Sequence, residues 1–238
     1  MSVRRRDLAE VRGGLIVSVQ AHADSVLDTP ETIALLARCA VANGAVGVRI
    51  ESCARVAAVR AAVDVPIVGI IKRAYAGFEP YITTTCDEAA AVARAGADIV
   101  AFDATHRARF EGASVADLVA AAHAGGALAM ADCSDLADAE MAIAAGADLV
   151  GTTLAGYTVA TAGLELPALL LASAIARRHP FAVCEGGIAT PADAARAFAS
   201  GVAAIVVGTA ITNVDELVRR FARASPRGVR DTPNGRST

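Results

Sequence analysis

The stretch Ala95-Gly-Ala-Asp-Ile-Val-Ala-Phe-Asp103 and its echo Ala145-Gly-Ala-Asp-Leu-Val-Gly-Thr152 decide the fold. In each, an alanine-rich segment ends at a glycine, the residue that lets a helix turn over into the next element. A short apolar run follows, apolar on both faces as a buried parallel strand must be. Polar residues then close the run. Asn43-Gly44-Ala45 and Ser200-Gly201-Val202 repeat the joint, so four of them in register mark an internal repeat.

The same alternation extends over the whole chain. Strands are predicted at Gly14–Val19, Val46–Ile50, Ile67–Ile71, Asp98–Phe102, Leu128–Ala131, Leu149–Thr152, Phe181–Cys184 and Ala204–Val207. Between them lie helices near Pro30–Asn43, Cys53–Ala62, Asp87–Ala95, Val115–His123, Leu136–Ala145, Pro167–Arg177, Ala192–Ser200 and Val214–Arg223. Thr29-Pro30-Glu31 and Thr190-Pro191 supply a capping hydroxyl ahead of a first-turn proline. Eight βα units predict an α/β fold, a single (β/α)8 TIM barrel, which typically takes about 250 residues. A doubly wound open sheet competes, but no GxGxxG turn follows the first strand. The barrel is expected over 11–223. The charged 1–10 and the Pro-, Gly-, Ser- and Arg-rich 224–238 read as mobile tails.

Of 238 residues, 55% are hydrophobic and 20% charged, which excludes general disorder. The net charge of −3 offers no basic field for nucleic acid. Mean hydropathy is +0.47, yet no apolar run reaches the roughly 18 residues that a membrane helix needs. Asp7, Glu10 and Arg12 interrupt any leader-like apolar core, so the cytoplasm is the expected compartment. Cys39, Cys53, Cys86, Cys133 and Cys184 form no CxxC pair, so reduced thiols are expected, with no metal site.

Of 22 basic residues, a single one, Lys72, is lysine. Lysine can lose its proton when buried and act as a base or Schiff-base former, whereas arginine effectively cannot. A lysine left by chance on the surface is the plain alternative. Barrel enzymes build their sites at the C-terminal strand ends. The polar residues there are Gln20, Arg49 with Glu51, Lys72 with Arg73, Asp103 with Thr105, Asp132, Thr152 with Thr153, Glu185 and Thr209. The lysine is among them. Gly186-Gly187 and Gly208-Thr209, on adjacent units, suit a phosphate cradle, although tight turns also use such glycines. Asp103 and Asp132 could orient hydroxyls or simply cap helices. His22, His106, His123 and His179 read as structural, and Tyr157 with Thr152-Thr153 as pocket lining or loop packing. A lysine and a glutamate beside a phosphate cradle suit proton transfer next to a carbonyl. A Schiff-base lyase or a non-catalytic sugar-phosphate binder stay open on the residues alone.

Gly14-Leu-Ile-Val-Ser-Val-Gln20, Val68-Gly-Ile-Ile-Lys72-Arg73, Met130-Ala-Asp132, Gly151-Thr-Thr-Leu-Ala-Gly-Tyr157-Thr158 and Glu185-Gly-Gly-Ile188 resemble the N-acetylmannosamine-6-phosphate 2-epimerase family, in order from about Gly13 to Phe221. The resemblance implies a (β/α)8 barrel of bacterial sialic acid breakdown, a homodimer without cofactor, acting on an amino sugar phosphate. It implies that Lys72 takes the C2 proton and that Glu185 helps open the ring and handle the proton. Gln20, Arg49 and Asp132 then hold the sugar, with Thr153 and Tyr157 beside them. Two departures stand out. The family's usual AITRP is Ala210-Ile-Thr-Asn213-Val214 here, so a phosphate-binding arginine is missing, and ITPT is Ile82-Thr-Thr-Thr85.

Overall fold

The computed structural model describes residues 7–22 and 24–226. Eight parallel strands close into one barrel in sequence order. They are β1 (Gly14–Val19), β2 (Gly47–Glu51), β3 (Ile67–Ile70), β4 (Ile99–Asp103), β5 (Leu128–Asp132), β6 (Leu149–Gly151), β7 (Ala182–Glu185) and β8 (Ala204–Val207). β8 returns to β1 through the register Gly14↔Ala204 to Val17↔Val207. The helices are α1 (Pro30–Ala42), α2 (Cys53–Arg60), α3 (Cys86–Arg94), α4 (Val115–Ala124), α5 (Leu136–Ala144), α6 (Leu169–Ala176), α7 (Pro191–Ala199), α8 (Thr209–Thr212) and α9 (Val214–Arg223). Each predicted strand is present, with ends shifted by no more than a residue or two. Among the described residues the one unforeseen α-helix is α8, a single turn directly after β8.

Period-two alternation sorts the strands' side chains into two cores. One lies between sheet and helices and holds Val17, Val48, Ile50, Val100, Phe102 and Ile205. The other fills the barrel with Ile16, Val68, Ile70, Ala101, Met130, Leu149, Val183 and Val206. Continuing the inward rows by two residues reaches Ser18 and Gln20, Arg49, Lys72, Asp103, Asp132, Thr153, Glu185 and Gly208. Parity thus assembles chemistry at one end of a packed core.

The other end is plugged. Leu8–Val11 forms a 3-10 turn capped by Asp7, with Glu10 completing the reciprocal capping box. Val11, 1% exposed, packs into the barrel's inner core. Asp7–Glu10, part of the stretch read from the sequence as a tail, thus belong to a capped turn at the foot of the barrel. The rest of that stretch, and 227–238, lie outside the described residues. Among the described residues, no helix is long and apolar enough to cross a membrane.

Candidate active site

Arg49 leaves β2 pointing into the barrel and is 1% exposed. A guanidinium withdrawn from water needs partners, and two carboxylates supply them. Arg49 Nη1 and Nη2 donate to Asp132 Oδ1 and Oδ2 at 3.0 and 2.6 Å, a bidentate pair. Nη1 also donates to Glu185 Oε2 at 2.8 Å. Burial works against the Arg49 charge, but Asp132 and Glu185 outweigh it, so its proton is held more tightly than usual. Thr153 Oγ1 lies 2.7 Å from Asp132 Oδ1 and 3.0 Å from Glu185 Oε2. Thr152 turns the other way: its hydroxyl donates to the Glu185 carbonyl at 2.9 Å and accepts its N–H at 3.1 Å, fixing the backbone that carries the carboxyl.

Glu185 is pushed above the usual carboxylate range, first by burial and then by Asp132, with the Arg49 and Lys72 charges opposing. Lys72 is pushed below the usual ammonium range by burial and by Arg49, with Glu185, Glu51 and Asp132 opposing. The residue is exposed to solvent where its side chain opens into the cavity, so the surrounding protein withdraws it from water only in part. β3 and β7 stand four strands apart in an eight-stranded ring, so Lys72 and Glu185 enter the cavity from diametrically opposite walls.

The backbone around Lys72 is clasped. Arg73 N–H donates to the Tyr81 carbonyl and Thr83 N–H to the Ile71 carbonyl, both at 2.8 Å. Thr83 takes φ +45°, a conformation that β-branched residues rarely adopt. Glu88 on α3 holds both ends of the loop: Tyr75 Oη donates to it at 2.8 Å, as does Thr84 N–H. Tyr75 stacks on Phe110 with centroids 4.1 Å apart. A proline at position 84 could not make the Thr84 bond, so the departure at Ile82–Thr85 is answered by an added hydrogen bond.

The cavity has a volume of about 490 Å³, enough for a hexose phosphate. Gln20, Arg49, Lys72, Thr153, Tyr157, Glu185, Gly186, Gly187, Gly208 and Thr209 all line it. Gln20 Nε2 donates to Ser18 Oγ at 2.7 Å, while its Oε1 has no protein partner. Gly187 sits at φ +74°, and a Cβ there would lie 2.3 Å from that of Leu166, so bare backbone is enforced beside the cavity. Asp132 is fully buried at the floor beneath the lined surface. Asp103 and Thr105 do not join the site: Asp103 accepts from Thr105 Oγ1 at 2.6 Å and from Arg107 at 2.7 Å. Glu51 pairs with Arg55. His106 pairs with Asp138 and His123 with Asp148, in keeping with structural roles.

Sequence reasoning missed Tyr81, Arg220 and the position of His22, which line the cavity from loops and from α9. Asn213 caps α9, its Oδ1 accepting from Glu216 N–H at 3.0 Å. Arg220 is seven residues on, two helical turns along the same face. That spacing was the available signal for it.

Fold and cavity define the class: a (β/α)8 barrel with one mouth cavity that Lys72 and Glu185 enter from opposite walls. The family model described as N-acetylmannosamine-6-phosphate epimerase (NanE) matches residues 33–226. A relative from Thermosynechococcus vestitus, named N-acetylmannosamine-6-phosphate 2-epimerase, is 48% identical over 217 residues, covering 90% of this chain and 94% of its own. One of the same name from Yersinia pestis is 44% identical over 215 residues, covering 90% and 91%. The solved N-acetylmannosamine-6-phosphate 2-epimerase from Clostridium perfringens aligns with TM-score 0.89 at 34% identity, covering 94% of this chain and 99% of its own. The chain belongs to the N-acetylmannosamine-6-phosphate epimerase family.

Removing the guanidinium would leave two carboxyl groups facing each other in a dry cavity floor. Arg49→Ala is expected to cost about 3–5 kcal/mol of stability, read from urea unfolding. A loss below about 1 kcal/mol, the scale of a surface ion pair, would contradict the account of the clamp.

Proposed function

We propose that this chain interconverts N-acetylmannosamine 6-phosphate and N-acetylglucosamine 6-phosphate by inverting C2. The carrying observation is the placement of Lys72 and Glu185 on opposite walls of one cavity. Inversion needs a proton removed from one face of a carbon and returned to the other, and opposed strands provide that arrangement. Family membership supports the substrate. Neither a Schiff-base lyase nor a non-catalytic binder has an observation in its favour.

Opening the pyranose ring moves the O1 proton to O5 and leaves an aldehyde at C1, with Glu185 handling the proton. The C2–H bond is then next to a carbonyl. Neutral Lys72 takes the C2 proton, and the bonding pair moves toward C1, placing negative charge on its oxygen. The carboxylic acid of Glu185 gives its proton to C2 from the far wall, the carbonyl re-forms, and the ring closes. The form that acts on N-acetylmannosamine 6-phosphate therefore has Lys72 without its extra proton and Glu185 with one, and the reverse reaction uses the opposite pair. Activity should fall on both sides of an intermediate pH: on the acid side as Lys72 charges, on the alkaline side as Glu185 ionises. The direction of both shifts narrows the gap between two groups that would otherwise titrate far apart. Gln20, Arg49, Asp132, Thr153 and Tyr157 hold the sugar directly or through the clamp.

The phosphate takes the opposite rim. Backbone at Gly186, Gly187, Gly208 and Thr209 supplies N–H donors. Among the described cavity-lining residues, the basic side chains besides His22 are Arg49, Lys72 and Arg220. The first two belong to the proton-transfer end, so Arg220 supplies the charge that Asn213 does not. Its guanidinium now lies 3.2 Å from Glu216 and exchanges that partner for phosphate.

A homodimer and a cytoplasmic setting complete the reading. Ile211, Val214, Val218 and Phe221 expose an apolar stripe on successive turns of α8 and α9, of the kind that a partner surface covers. A dianionic sugar phosphate does not cross a bilayer unaided, which keeps enzyme and substrate in the compartment where the phosphate is attached.

Incubated with N-acetylmannosamine 6-phosphate, the protein should yield N-acetylglucosamine 6-phosphate by proton NMR, and folded Lys72→Ala should not. Borohydride with substrate should leave the protein mass unchanged, whereas an adduct on Lys72 would establish the lyase. Arg220→Gln should raise KM about 10-fold, the scale of one charge-assisted hydrogen bond, with a smaller fall in kcat. An unaltered KM would remove Arg220 from the phosphate site.

A further inference from the structure

Four atoms close a diamond at the cavity floor: Arg49 Nη1, Asp132 Oδ1, Thr153 Oγ1 and Glu185 Oε2. Its edges are 3.0, 2.7, 3.0 and 2.8 Å, all hydrogen-bonding distances. Each such bond needs a proton. Arg49 Nη1 carries two, and the Thr153 hydroxyl carries one. Four edges therefore share three protons, and the fourth proton must come from a carboxyl group. Asp132 already has its charge matched by the bidentate guanidinium, and its edge to Thr153 is the shorter, as expected where a hydroxyl donates to a carboxylate. The remaining edge, to Glu185, is then completed only by a proton on Glu185.

We infer that Thr153 is a positioning residue that holds Glu185 in its acid form, accepting a hydrogen bond from the protonated Glu185 carboxyl while donating its own proton to Asp132. The inference deepens the proposed function and rests on Glu185 as the acid there. The groups facing Glu185 are Arg49 from β2, Lys72 from β3, Asp132 from β5 and Thr153 after β6. Arg49 and Lys72 favour its ionised form. Asp132 favours the protonated one, and the Thr153 hydroxyl does so when it accepts rather than donates. This gives the network a directional order: Glu185 to Thr153 to Asp132, with Arg49 anchoring both carboxyl groups. When Glu185 releases its proton to substrate, the Thr153 hydroxyl can turn toward it, and the acid is restored when Glu185 regains a proton.

A hydroxyl that accepts from the acid raises the titration of Glu185. One that donates to the carboxylate lowers it. The two possibilities therefore predict opposite signs for an isosteric replacement that removes the hydroxyl. The test is the carboxylic acid carbonyl band in the infrared spectrum of the full chain without substrate, assigned by its loss in Glu185→Gln and followed against pH. In Thr153→Val the midpoint should fall by about one pH unit, and Thr153→Ser should restore it. A midpoint that rises or stays put in Thr153→Val, or a wild-type protein with no such band, overturns the proposal. Should Thr153→Val fail to fold by circular dichroism, Thr153→Ala is read in the same way. Because the titration uses no sugar, it stands whether or not epimerisation is found, and an epimerase with an unmoved band would refute this proposal alone.

Discussion

The Arg49 guanidinium carries its charge where water does not reach, and Asp132 and Glu185 come from three and five strands further round the barrel to meet it. Burying an ion is expensive, and only geometry this close offsets the cost. The arrangement requires that β2, β5 and β7 all present the correct face at the same height. A one-residue slip in any of them would turn its polar end residue into the apolar layer under the helices. Closure of the sheet, strand register and the ionic floor are thus one constraint. The apolar rows below the floor, from Ile16 round to Val206, fix that height by packing.

The same floor sets up the chemistry above it. Lys72 sits near a cation and is partly withdrawn from water, so its neutral amine is easier to reach. Glu185 is withdrawn from water beside another carboxyl, so its acid form is easier to keep. Fixed charges placed in advance are what make such groups effective when charge develops on a substrate. The clasp through Glu88, Tyr75 and Phe110 holds the Lys72 loop against that floor, while glycine backbone and Arg220 line the rim.

The barrel was legible because glycine joints and doubly buried strands recur in a regular rhythm. Lys72 and Glu185 were legible because each closes an apolar run. Asp103 looked equivalent, but nothing in strand patterning shows that Arg107, four residues on, captures it. Tyr81, His22 and Arg220 come from irregular loops and from the last helix, where periodicity says nothing about the barrel mouth. α8 is one turn long and leaves no periodic trace. Asp7 and Glu10 form a recognisable capping box, yet a charged terminus masked it, and only Val11 seated in the barrel shows why that turn is ordered.

Two walls, two proton carriers: the most direct measurement is a single turnover of protiated N-acetylmannosamine 6-phosphate in deuterated water, with C2 of product and of residual substrate followed by NMR. If Lys72 removes the proton on one side and Glu185 supplies a solvent-equilibrated one on the other, the first N-acetylglucosamine 6-phosphate formed carries deuterium at C2, with none of the original protium. Product that retains the substrate's own C2 proton would mean that one group serves both faces, and would contradict the account.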